Sequence, residues 1–299
     1  MTSTAPFGRL MTAMITPMTP DGAVDYDGAA RLAAYLVDDM RNEGLVVNGT
    51  TGEAPTTTDE EKERLLRVVL DAVGDRATVV AGVGTNVTSH TIELARSAAR
   101  AGVSGLLVVT PYYSKPAQDA LAAHFAAVAD STDLPVIIYD IPGRTGTAVA
   151  TSTLVKLAAH PKIVGVKDAK GDLAGTSHVL AHTDLVYYSG DDMMNLPLLS
   201  VGATGFISVT GHIVGDRLRE MIEAFAAGRN AEARRIHADA LPVNVGLFRN
   251  QAAVLTKAAL DMLGLPGGGV RQPLLPASDN ERKQLRDDLT LGGVKVATA

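Results

Sequence analysis

Eight short apolar runs rich in valine and isoleucine constrain the fold of this chain more than any other feature. They are Met11 to Met18, Gly44 to Gly49, Ala77 to Gly84, Gly105 to Thr110, Pro135 to Asp140, Ile163 to Asp168, Leu185 to Gly190 and Gly205 to Thr210. They recur at intervals of roughly 20 to 35 residues, the length of one strand, one helix and their loops. Between them lie alanine-rich amphipathic stretches such as Asp59 to Val73 and Thr88 to Ala101. Eight strand-helix units predict an α/β fold, a closed (β/α)8 TIM barrel, with an open doubly wound sheet as the alternative. After about Gly228 the strand signal stops, and helical patterning runs from Ala231 to Ala240 and from Gln251 to Leu263. The expected organisation is a catalytic barrel over 1–229 and a C-terminal helical domain over 230–299.

The composition supports a single large core. The 299 residues are 46% hydrophobic and 20% charged, with a net charge of -6. No basic run marks a surface for nucleic acid or anionic membrane. Cysteine is absent, which excludes disulfides, thiolate metal sites and a cysteine nucleophile. The segment Met1 to Pro6 has no basic region followed by an apolar core, and no apolar stretch reaches the ~18 residues of a membrane span. The expected compartment is the cytoplasm.

Within this barrel pattern Lys167 is anomalous. It stands in Ile163-Val164-Gly165-Val166-Lys167-Asp168, otherwise a buried parallel strand. Burial favours the neutral amine, and a neutral lysine is a nucleophile that forms Schiff bases with carbonyl substrates. The competing reading is a side chain that snorkels to solvent or pairs with Asp168. Active sites of this architecture are built from loops at the C-terminal strand ends. Those loops carry Thr50 and Thr51, Thr85 and Asn86, Tyr112 and Tyr113, Tyr139 and Arg144, Asp168, Gly190 and Asp191, and Ser208 and Thr210.

Gly49, Thr50, Thr51, Gly52 and Glu53 offer backbone N–H groups and two hydroxyls to an anion such as a substrate carboxylate. Alternatively they form a glycine turn in which Thr51 or Thr58 caps the next helix. Tyr113 and Tyr139 place phenols at the ends of the fourth and fifth strands, where Thr50 can bridge them into a proton relay; as single residues they also read as rim aromatics. Arg144 lies in a loop held by Pro142 and Gly143, suited to gripping a carboxylate or standing as a surface charge. Walker, dinucleotide and nucleophile-elbow motifs are missing. His178 and His182 have helical spacing but no matching third ligand, which reads as two solvated helix residues.

Gly49 to Glu53, Pro111 to Tyr113, Tyr139 to Gly146 and Gly165 to Asp168 together resemble the signature set of the dihydrodipicolinate synthase and N-acetylneuraminate lyase superfamily. The order and spacing match over nearly the whole chain. Tyr139 to Gly146 is similar to the loop of the synthase branch, whose arginine binds the carboxylate of aspartate semialdehyde. The resemblance implies a lyase of the diaminopimelate route to lysine. It would condense pyruvate, held at Thr50 and Thr51 and joined to Lys167 as an imine, with the semialdehyde held by Arg144, giving 4-hydroxy-tetrahydrodipicolinate. It implies proton transfer along Tyr139, Thr50 and Tyr113, with the backbone carbonyls of Gly190 and Ile207 lining the pocket. It further implies no metal or other cofactor, and a homotetramer of tight dimers in which Tyr113 serves the neighbour. The alternatives are a pyruvate-dependent aldolase acting on a sugar acid, and a keto-acid sensor without catalysis. Members that are inhibited by lysine typically carry a serine, histidines or a tryptophan, an asparagine and a glutamate around a cleft. Here Ala54, Asp59, Lys62 and His90 replace all but Asn86, with Tyr112 kept, so weak or absent inhibition is expected.

Overall fold

A computed structural model describes residues 5–296. The leader reading at Met1 and the outermost domain bounds therefore touch residues 1–4 and 297–299, which lie outside the described residues. Eight strands, β1 (Leu10–Ala13), β2 (Gly44–Val47), β3 (Thr78–Gly82), β4 (Gly105–Val109), β5 (Val136–Asp140), β6 (Ile163–Asp168), β7 (Val186–Ser189) and β8 (Gly205–Ser208), close into a barrel. Each strand is parallel to the next, and β8 pairs with β1. The open doubly wound alternative is thereby excluded.

Alternation along each strand divides two cores. Met11, Val46, Val80, Leu107, Ile137, Tyr139, Val186, Tyr188 and Ile207 fill the barrel interior, while residues such as Leu45, Val79, Leu106, Ile138 and Val166 pack outward against the helices. At the N-terminal end the interior is plugged by Phe7, and a Cβ on Gly105 would lie 2.5 Å from its ring. Glycine there lets an aromatic ring seal the floor, leaving the opposite end for polar side chains.

Strands β1 and β8 stop short of the predicted runs because distant side chains capture the N–H groups that follow them. Beyond β1, Ile15 N–H donates to His212 Nε2 (3.1 Å). Beyond β8, Val209 and Thr210 N–H donate to the Asp192 carboxylate (2.8 and 2.9 Å). Helices Asp59–Val73 and Thr88–Ala101 match their predicted spans, and Thr58, rather than Thr51, caps the first through a capping box with Glu61. Helix Gly211–Ala226 is the last of the barrel. Helices Asn230–Leu247, Ala252–Met262 and Asp279–Leu291 follow, the third unanticipated by the sequence reading.

Candidate active site

Strand register brings two buried polar side chains together. Tyr139 on β5 pairs with Lys167 on β6, which pairs with Tyr188 on β7. Neighbours in parallel register share a face, so Tyr139 and Lys167 both point inward, and Lys167 Nζ lies 4.0 Å from the Tyr139 ring centroid. Lys167 is 3% exposed, and among the described residues its Nζ has no hydrogen bond or ion pair. Asp168 turns to the other face, accepting from Thr176 Oγ1 and Lys170 N–H (both 2.7 Å), so neither snorkelling nor pairing with Asp168 occurs. Burial pushes the Lys167 ammonium down from 10.5 to about 7; the Asp192 carboxylate opposes this and the Arg144 guanidinium adds to it.

Asp192 was not singled out by the sequence reading. It is buried and accepts from Ser208 Oγ, Asn195 Nδ2, Val209 N–H and Thr210 N–H, a complete set of donors for a carboxylate. A residue with four such partners 15 or more positions away in part leaves no local signal. Gly190 has a steric reason to be glycine: an added Cβ would sit 2.9 Å from both Cγ and Cε of Lys167. Ile207 is fully buried in the barrel interior on β8.

After β2 the chain folds into a tight turn. Gly52 N–H donates to Gly49 O (3.0 Å) and Glu53 N–H to Thr50 O (3.1 Å). Among the described residues the N–H groups of Thr50 and Thr51 find no acceptor, so both remain free for an anion. The Thr50 hydroxyl faces the Tyr139 phenol and favours its ionised form. Burial pushes that phenol up to about 12, while Arg144 and the Thr50 hydroxyl pull the other way.

A cavity of about 340 Å³ opens beside this floor. Thr50, Tyr139, Tyr112 and Arg144 line it; Lys167, Thr51, Gly190, Ile207 and Tyr113 do not form its wall. Arg144 belongs to a helical turn, Pro142–Thr145, ended by Gly146 in the left-handed region, and is solvent-exposed. Tyr113 is 89% exposed, with φ +75, and its N–H donates to Thr145 O (3.3 Å). That φ is an outlier for an aromatic residue and turns the phenol away from its own chain's cavity.

The cavity's far wall holds Ala54, Asp59, Lys62, Asn86 and His90. His90 Nε2 is 2.9 Å from Asp59 Oδ2, and Lys62 Nζ is 3.8 Å from Asp59 Oδ1 while donating to Thr57 O. His178 and His182 stack on an exposed helix face, with His182 Nδ1 bonded to His178 O. Among the described residues no group of three His, Cys, Asp or Glu side chains is placed to hold a metal ion.

Comparison with known proteins converges on one family. Residues 6–291 match the Dihydrodipicolinate synthetase family. The 4-hydroxy-tetrahydrodipicolinate synthase of Acidothermus cellulolyticus is 62% identical over 289 residues, covering 97% of this chain and 94% of that protein. The 4-hydroxy-tetrahydrodipicolinate synthase 2 of Streptomyces coelicolor is 57% identical, covering 99% and 98%. The solved structure of the Cyanidioschyzon merolae enzyme, with lysine bound, superposes with a TM-score of 0.95 at 41% identity, covering 97% of this chain and 99% of that one.

Proposed function

The chain belongs to the dihydrodipicolinate synthetase family, and on that premise we propose how its residues divide the family's reaction, the condensation of pyruvate with aspartate semialdehyde to 4-hydroxy-tetrahydrodipicolinate. The observation that carries the assignment is Lys167: a buried, unpartnered amine held near neutrality beside a tyrosine. It attacks the keto carbon of pyruvate, and loss of water gives the imine. The pyruvate carboxylate sits on the free N–H groups of Thr50 and Thr51 and on their hydroxyls.

Loss of a methyl proton converts the imine to an enamine, whose carbon attacks the aldehyde of the second substrate. Arg144 holds that substrate's carboxylate from the rim. The enamine's attack restores the Lys167 imine, and the amino group of the semialdehyde portion then adds to the imine carbon, closing the ring and expelling Lys167 as the free amine. Tyr139 and Thr50, which face each other, pass protons between them, and Tyr113, turned outward, completes this relay in a neighbouring copy. The Gly190 and Ile207 carbonyls line the imine pocket. The imine serves as the electron sink, so this reading calls for no cofactor. It calls for a tight dimer, paired into a homotetramer. The reading sets the enzyme in the cytoplasm; among the described residues no helix is long and apolar enough to cross a membrane. The cleft at Ala54, Asp59, Lys62 and His90 corresponds to a weakened lysine site.

Borohydride reduction with pyruvate is the test. It should add one pyruvate-derived group per chain, on the peptide carrying Lys167, and semialdehyde should discharge the imine before trapping. Labelling of Lys62, Lys115, Lys170 or Lys257 instead overturns the assignment.

A further inference from the structure

The chain contains a second deeply buried lysine, far from Lys167 in sequence. Lys257 lies in helix Ala252–Met262, among Ala253, Val254, Leu255 and Leu260, and is 1% exposed. Its Nζ pairs with Oε1 of Glu53, 204 residues away and equally enclosed, and donates to Gly269 O (2.6 Å). The other oxygen, Glu53 Oε2, accepts Arg271 N–H (3.0 Å). Two charges removed from water are expensive and are often no more stabilising than an apolar pair, so their value lies in fixing one arrangement.

What they fix is the turn after β2. Glu53 is two residues beyond Thr51 and adopts φ 56, a left-handed conformation that a glutamate rarely takes. Its own N–H closes the turn on Thr50 O. The Arg271 side chain extends the clamp, donating to Gly22 O (2.8 Å) and Thr56 O (2.7 Å) and forking onto Glu61. On the other side Thr16 Oγ1 holds Gly52 O (2.7 Å).

We propose that the Lys257–Glu53 pair is a positioning device for keto-acid binding: from the C-terminal helices it sets the orientation of the Thr50 and Thr51 N–H groups toward the pyruvate carboxylate. The inference rests on the reading of that turn as the carboxylate's seat. Glu53 and Lys257 touch no substrate; they act through the turn. Misplacing an oriented donor set by a fraction of an ångström weakens the bound geometry without removing any donor.

Lys257→Met, Glu53→Gln and the neutral double variant should each raise the pyruvate KM about 10- to 100-fold and slow imine trapping equally. The semialdehyde KM should stay within about 2-fold, because Arg144 hangs on a separate loop. Leu289→Ala, a core truncation in helix Asp279–Leu291, serves as the stability control. It should lower Tm without moving the pyruvate KM. If Lys257→Met fails to fold, the charge-balanced double variant supplies the measurement. An unchanged pyruvate KM in any folded clamp variant, or an equal rise in Leu289→Ala, overturns the proposal. Thr50→Pro, at the turn position that tolerates proline, removes one of the two N–H donors and separates the two readings. If it leaves pyruvate binding intact, the seat itself is misassigned and the proposal falls with it; if it weakens pyruvate binding while the clamp variants do not, only the clamp fails.

Discussion

The floor of the site and its rim are built by opposite rules. On the floor, Lys167 and Tyr139 sit on adjacent strands, 3% and 5% exposed, with their orientation dictated by register. On the rim, Arg144 and Tyr113 stand on loops, exposed, with Tyr113 held in an unfavourable backbone conformation that directs it outward. Burial is what changes the chemistry of the floor: it depresses the lysine and elevates the phenol, shifts that an exposed pair would not undergo. The rim keeps its guanidinium in water, where it is free to meet an incoming carboxylate. On the proposed division of roles, imine formation belongs to the rigid strand ends and the choice of second substrate to the loops.

The largest effects should follow from breaking the floor. Lys167→Met should abolish turnover, by at least about 10⁴-fold, with trapping lost. It should also stabilise the fold, and the sign is fixed by linkage. In the folded chain this amine binds its proton only below about 7, whereas unfolded it does so below 10.5. Between those values the unfolded state carries more protons, so the parent gains stability as pH rises. The Met variant lacks this term; its advantage in urea unfolding should be greatest below pH 7, at most about 5 kcal/mol, and should shrink toward pH 10.5. An advantage independent of pH would show that the lysine is not strained by burial.

Breaking the rim should leave the floor working. Arg144→Ala should remove the charge-assisted contact proposed for the second substrate, costing about 2 to 4 kcal/mol of transition-state binding, or roughly 30- to 1,000-fold in kcat/KM for the semialdehyde. Imine trapping should survive, and its pH profile should move slightly upward, since Arg144 pushes the Lys167 amine down. Loss of trapping with semialdehyde binding retained would reverse the two roles.

Tyr113 sharpens the comparison further, because it is the one rim residue that its own cavity does not use. Tyr113→Phe alone should slow turnover roughly 10- to 100-fold. Mixing it with Lys167→Ala under subunit exchange should restore part of the activity, since one site of each hybrid dimer would be intact. No recovery, with exchange verified by mass, would assign Tyr113 to its own chain.

The sequence disclosed the floor more fully than what supports it. Lys167 was legible because an ammonium breaks an apolar strand pattern, and the eight strands because each run is short, β-branched and evenly spaced. The contact between Lys167 and Tyr139 was not, since inter-strand register leaves no mark in a single strand. Lys257 breaks an apolar helical pattern in the same way, yet a helical lysine ordinarily snorkels, and its partner lies 204 positions away. Strand ends were overestimated where distant side chains, His212 and Asp192, take the N–H groups. Helix Asp279–Leu291 was missed because it buries only Leu285 and Leu289, although Ser278 and Glu281 form a capping box that could have announced it.

The smallest effect is expected from lysine itself, at the wall of the cavity farthest from the floor. The Cyanidioschyzon merolae structure carries bound lysine; here the wall formed by Ala54, Asp59, Lys62, Asn86 and His90 is the place proposed for such a ligand, and its charges should decide whether it is filled. An effector ammonium needs an uncommitted carboxylate. Asp59 is the acidic side chain in the cavity wall, and it is engaged by His90 at 2.9 Å and Lys62 at 3.8 Å. Burial pushes the Lys62 ammonium down, but Asp59 counters it, and Lys62 Nζ is held against Thr57 O within the wall, so a cation must enter beside another cation. The missing partner and the added repulsion together should remove ~2 to 4 kcal/mol of binding, roughly 30- to 1,000-fold in affinity. Millimolar lysine should therefore leave activity nearly unchanged, while Lys62→His with His90→Glu should bring inhibition into that range. Strong inhibition of the parent at sub-millimolar lysine would mean that Asp59 abandons His90 for the effector, and the rim would then hold a ligand by the rearrangement its geometry argues against.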